Sequence, residues 1–92
     1  MESFHNKYTD LLMDAISKLK TADECYKFFE DVCTIREIQD MGKRLEAAKL
    51  LDIGLSYQEI IDKIGISTAT LSRVSKALNY GSGGYKNVIS KK

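Results

Sequence analysis

The sequence has no proline, a single histidine and only two cysteines. With no proline, no position forces a helix to break through ring geometry or a missing N–H. Cys25 and Cys33 form no CxxC pair and stand in no Cys/His cluster, which argues against a disulfide framework or a metal site. Both have apolar neighbours and read as reduced, buried small hydrophobes. His5 stands alone near the start of the chain, and the acid pairs Asp23-Glu24 and Glu30-Asp31 are sequence neighbours that splay apart on a helix. None of these brings a general acid and a general base to one point, so an enzyme is not expected, and neither is a cofactor or metal. No apolar run approaches the ~18 residues of a membrane span, and the chain opens on no leader-like segment. The expected compartment is cytoplasmic, with no membrane partner.

What is present is a small domain with an uneven charge. Ninety-two residues, 43% of them hydrophobic, suit one globular domain rather than a disordered chain. A chain of this length buries only roughly 60–65% of its unfolded surface, so pairing of two copies is a natural way to enlarge the core. The net charge of +1 conceals two opposed halves. Residues 1–40 hold five bases against nine acids, a balance of −4, while residues 41–92 hold nine bases against four acids, a balance of +5. The second half is therefore the one suited to a polyanion.

Apolar residues recur at helical spacing, first along Phe4, Tyr8, Leu11, Leu12, Ala15, Ile16 and Leu19. Three helix starts are then announced in the same way. Thr21-Ala-Asp-Glu24, Thr34-Ile-Arg-Glu37 and Ser56-Tyr-Gln-Glu59 each fit a capping box, in which hydroxyl and glutamate satisfy each other's backbone N–H groups. The pattern predicts an all-α chain of five to six helices, at about 3–19, 22–32, 35–53, 56–64 and 67–79. Gly54 suits the position just past the third helix and Gly65 the end of the fourth. Asn79-Tyr-Gly-Ser-Gly-Gly-Tyr85 stops the fifth; it lacks the Lys-Ser/Thr pair of a phosphate loop and reads as a turn. Tyr85 to Ile89 add a short terminal helix or strap. The organisation expected is a single domain with dimerisation helices over 1–33 and a core helix over 35–53. A helix-turn-helix over 56–79 and a closing turn and strap over 80–92 complete it.

The function is read from 56–79. Two short helices separated by Gly65 and Ile66, with Ser67 capping the second, form a helix-turn-helix pattern. Ile60, Ile64, Ile66, Leu71 and Val74 meet its packing needs. At about 100° per residue, Val74, Ser75 and Leu78 lie within ~60° of Leu71, and Ala69, Ser72, Arg73 and Lys76 fall on the opposite side. Ser67, Thr68 and Thr70 add small hydroxyls at the helix start, where backbone can approach base edges closely. Tyr57 and Gln58, at the start of the preceding helix, complete the expected DNA-contacting set. Thr and Ala methyls can touch thymine, hydroxyls serve several bases, and Arg73 or Lys76 suits guanine or phosphate. The partner expected is double-stranded DNA.

From Gly42 to Asn79 the sequence, "GKRLEAAKLLDIGLSYQEIIDKIGISTATLSRVSKALN", closely resembles the tryptophan repressor superfamily. Its ending, "STATLSRVSKALNYGSGGY", is most similar to the small Trp-repressor-related branch, the YerC/YecD family. The resemblance implies an intertwined homodimer that reads a palindromic operator, as a repressor. It also implies a ligand pocket between two arginines near a threonine, positions that match Arg44, Arg73 and Thr34 here, with Thr70 lining it. Two positions depart from the repressor pattern, which has glycine at Val74 and serine at Ala77. Added bulk and a lost hydroxyl each cost an indole-bearing ligand ~1–3 kcal/mol, so tryptophan responsiveness is not expected. The position is left open to an unknown small-molecule effector, or to none. The competing reading is a helical protein-interaction adaptor that works through the acidic first 40 residues.

Overall fold

The computed structural model describes residues 3–91, which contain six helices and no strand. These are α1 (Lys7–Ser17), α2 (Ala22–Val32), α3 (Ile35–Asp52), α4 (Tyr57–Ile64), α5 (Thr68–Tyr80) and α6 (Gly84–Ser90). Local chemistry accounts for most of their boundaries. The Thr21 hydroxyl accepts from the Glu24 N–H at 3.1 Å, while the Glu24 carboxylate accepts from the N–H groups of Thr21 and Lys20. Ser56 and Glu59 repeat the exchange at 3.2 and 2.8 Å. Such a cap stabilises a helix by typically ~1 kcal/mol.

The first helix starts four residues later than its apolar stripe suggests. Asn6 is the reason. Its side-chain oxygen accepts from the N–H groups of Tyr8 and Thr9, both at 2.9 Å, and the Thr9 hydroxyl accepts from the Asn6 N–H at 2.8 Å. This fixes Asn6 in an extended backbone conformation outside the helix. The far end also stops early, at Ser17, because the N–H groups of Lys18 and Leu19 turn to the carbonyls three residues back.

The described chain falls into two compact units that divide between Ile35 and Arg36. In the first unit α1 and α2 are amphipathic, yet neither contains a buried residue. Phe4, Tyr8 and Leu11 are 76, 69 and 69% exposed. Cys25 and Cys33, expected to be buried, are half-buried free thiols instead. Two short helices have too little surface to enclose either one.

The second unit holds the core. Ala47, Ala48 and Leu50 of α3, Ile60 of α4, Ile66 of the turn, and Leu71 and Val74 of α5 form one buried cluster. Ile60, Leu71 and Val74 are its largest fully buried side chains. Each removes enough apolar area from water to contribute ~1.5–3 kcal/mol. Ala47 and Ala48 carry no bulk, which lets other side chains pack close to the α3 backbone. The terminal segment is a helix rather than a bare strap. Tyr85 and Ile89, four residues apart on α6, both lie against the cluster. No helix among the described residues is long and apolar enough to cross a membrane.

Candidate nucleic-acid interface

The angle between α4 and α5 is set by a three-residue turn, Gly65–Ile66–Ser67. Gly65 sits at φ +65°, a left-handed conformation that costs a residue with a Cβ ~1–2 kcal/mol, and its N–H donates to the Ile61 carbonyl at 2.9 Å. Ile66 is buried and pins the turn to the core, and Ser67 caps α5. Three successive residues thus stop one helix, anchor the chain and start the next.

The hydroxyls at the start of α5 do not all have the same role. Ser67 accepts from the Thr70 N–H at 3.1 Å and donates to the Thr70 hydroxyl at 2.9 Å. That pair is committed to the cap, and Thr70 is half-buried. Thr68, Ala69, Ser72, Arg73 and Lys76 are exposed. Leu71, Val74 and Leu78 are buried, so the inward stripe is as the angular reading has it, except that Ser75 on its edge is half-buried. Among the described residues no acid lies within ion-pair distance of Arg73 or Lys76. On α4, Tyr57 and Gln58 are exposed, and the Gln58 amide donates to the Asp62 carboxylate at 2.8 Å. The outward surface therefore carries small side chains, an oriented amide and two unpaired cations on a buried scaffold. Side chains of this kind can meet base edges and phosphates.

Beside this surface the second unit contains a cleft of about 470 Å³ lined by Met41, Arg44, Thr70, Arg73, Val74, Ala77 and Tyr85. Five of these are the sequence's candidate pocket residues. The sixth candidate, Thr34, belongs to the first unit. Met41 and Tyr85 were not foreseen. Met41 lies one turn before Arg44 on α3, a spacing that could have signalled it. Tyr85 reaches the cleft only because α6 folds back after the glycine-rich turn, and nothing local in the sequence announces that. The volume is in the range of small-molecule sites. Among the described residues there is no cluster of three or more histidine, cysteine or acidic side chains placed to hold a metal.

Comparison with known proteins gives a consistent result. The Trp repressor protein family matches residues 7–92. The uncharacterized protein YerC of Bacillus subtilis (strain 168) is 43% identical over 91 residues, which cover 99% of this chain and 88% of YerC. A Trp operon repressor homolog of Chlamydia caviae is 37% identical over 78 residues, covering 84% of this chain and 76% of that protein. Among solved structures, a TrpR-like protein of Eubacterium eligens superposes with a TM-score of 0.87 at 49% identity, covering 90% of this chain and 86% of the other. A Trp repressor-like protein of Staphylococcus aureus gives 0.88 at 41% identity, covering 92% and 85%. Six helices among the described residues, two of them, α4 and α5, joined by a three-residue turn, and these matches lead to one assignment: the chain belongs to the Trp repressor family.

Proposed function

We propose that this protein is a homodimeric transcriptional regulator, a repressor, that binds a palindromic DNA operator through α4 and α5 and does so without tryptophan. One observation carries the reading. The apolar stripe of α5 is consumed by the core, while Thr68, Ala69, Ser72, Arg73 and Lys76 remain exposed on a helix start held rigid by the Ser67–Thr70 cap. Thr70 acts through that cap and at the cleft, whereas Tyr57, Gln58 and Ser67 border the same surface. Membership of the Trp repressor family supports DNA binding and regulation.

The first unit supports pairing. Its large hydrophobics Phe4, Tyr8, Leu11, Met13, Tyr26 and Val32 are all more than half exposed on two amphipathic helices without a buried residue, a surface that wants cover. A second copy would cover it and would place two recognition helices about one DNA turn apart, ~34 Å, on a symmetric site. Selection of bound duplexes from a random pool tests the reading. A palindromic consensus supports it, and failure to retain any duplex at low salt favours the adaptor alternative. In the same assay Arg73→Ala is expected to weaken operator binding by ~1–3 kcal/mol at unchanged thermal stability. Wild-type affinity in that variant would mean that the wrong face of α5 has been assigned.

Tryptophan can tighten DNA binding only by its differential affinity for the DNA-competent state. Arg44 and Arg73 line the cleft, but Ala77 offers no hydroxyl, and Val74 stands at the cleft wall with its side chain packed into the core where the repressor pattern has a glycine. Millimolar L-tryptophan added to a protein–operator mixture is expected to change the affinity less than about twofold. A tenfold gain, worth ~1.4 kcal/mol of coupling, would overturn the reading of these two positions. The double change Val74→Gly with Ala77→Ser is the constructive counterpart: it also removes a buried core side chain, so it is expected to lower stability by ~2–5 kcal/mol and to gain tryptophan binding in the protein that stays folded at low temperature.

A further inference from the structure

The core-facing stripe of α3 changes character halfway along the helix. Taken at about 100° per residue, Ala47, Ala48, Leu50 and Leu51 lie on one side of α3 and pack into the core. Arg36, Asp40, Lys43 and Arg44 fall within the same arc, one to three turns earlier. Where the stripe is apolar it meets Ile60 and Leu71. Where it is charged it faces the turn and the start of α5 across a cleft of about 300 Å³, lined by Arg36, Asp40, Lys43, Arg44, Gly65, Ile66, Ser67 and Thr70.

The lining carries three cations and one acid, a net charge of +2. Asp40 is the only internal counter-charge and is 3.9 Å from Arg36 in an exposed i,i+4 pair, a contact worth little. Among the described residues no acid lies within ion-pair distance of Lys43 or Arg44. Like charges gathered on one arc repel one another, and an anion between them relieves that repulsion. The other wall offers the Thr70 hydroxyl, whose own proton stays available because Ser67 donates to its oxygen. Several cations and a hydroxyl around a space of this size suit a tetrahedral oxyanion better than a planar carboxylate, which needs only one bidentate partner.

We infer that this cleft between the first half of α3 and the start of α5 is a phosphate-binding site, held chiefly by Arg36, Lys43 and Arg44. It adjoins the surface proposed to read bases through Ser67, and it shares Arg44 and Thr70 with the larger cleft next to it. Two sources of phosphate fit the same chemistry: a backbone phosphate of bound DNA, which rests on the function proposed above, or the phosphate of a small anionic effector, which does not.

The test uses the full-length protein, with Arg36→Gln and Lys43→Gln as exposed substitutions and Lys49→Gln, on the opposite side of α3, as the control. Inorganic phosphate is titrated into DNA-free protein while the backbone amides of residues 65–70 are followed by NMR. Binding of a random-sequence duplex is measured across a salt series. For a DNA source, Arg36→Gln and Lys43→Gln each reduce the slope of log affinity against log salt by about one and weaken all duplexes alike, and Lys49→Gln does not. For a free effector, phosphate shifts the amides in wild type about tenfold more tightly than in Lys43→Gln, with the duplex slope unchanged. Wild-type behaviour of both cleft variants in both assays overturns the inference, and so does an equal effect of Lys49→Gln. If Arg73→Ala weakens duplex binding while the cleft variants change neither duplex binding nor the phosphate titration, the helix-turn-helix reading stands and the phosphate site falls. If wild type binds no duplex, the functional reading falls and the phosphate titration alone decides the cleft.

Discussion

Truncating Ile60 to alanine is expected to lower the unfolding free energy by ~2–5 kcal/mol and to abolish DNA binding at moderate temperature. Ile60 is fully buried and belongs to the cluster joining α3, α4, the Ile66 turn and α5. Removing three carbons there takes away the transfer free energy of those atoms and leaves a cavity that rigid helices close only in part. The loss is a large share of the ~5–15 kcal/mol that holds a domain together. Ile60→Val keeps most of the volume and is expected to cost only ~0.5–1.5 kcal/mol. Urea denaturation at a fixed protomer concentration measures both, since the stability of the proposed dimer would depend on concentration. A loss below about 1 kcal/mol for the alanine variant would show that this cluster is not where the fold is held. Where enough folded Ile60→Ala survives at low temperature, its recovered duplex binding separates loss of the scaffold from loss of a contact.

Features encoded within a few residues were legible in the sequence. The starts of α2 and α4 follow from capping boxes, the left-handed Gly65 from its place between two periodic segments, and the inward stripe of α5 from its 3.6-residue period. The boundary of α1 was misplaced because Asn6 and Thr9 cap it with a polar pair that lacks a glutamate. Apolar periodicity at Phe4 hid that signal. Apolar neighbours imply burial of Cys25 and Cys33, but an amphipathic helix shows only which face wants cover. Whether one chain supplies that cover is a tertiary matter, and in the first unit it does not. The larger cleft was half legible: Arg44, Thr70, Arg73, Val74 and Ala77 came from family resemblance and helical angle. Tyr85 depends on the return of α6, and the cationic half of α3 depends on which element lies opposite. Arg36 and Lys43 alone look like ordinary solvated surface residues.

Raising monovalent salt from about 50 to 200 mM is expected to weaken operator binding roughly a thousandfold or more, while tryptophan at any concentration leaves it nearly unchanged. The size of this effect follows from charge placement rather than from net charge. The chain carries only +1 overall, but residues 41–92 carry +5 and residues 1–40 carry −4. The unpaired cations at and beside the start of α5 include Arg73, Lys76, Lys43 and Arg44. If about three of these per protomer meet phosphates, a dimer releases about six counterions, and log affinity falls with log salt at a slope near −5. Replacing chloride with a larger, more weakly hydrated anion at the same ionic strength should shift the affinity again, because a cationic surface that holds anions before DNA arrives must release them. An adaptor that works through the acidic first unit would show neither a steep slope nor any preference for DNA over an acidic protein. A slope shallower than about −2 would mean that base contacts or shape, not phosphates, supply the affinity, and the cationic half of α3 would then have no part in holding the duplex.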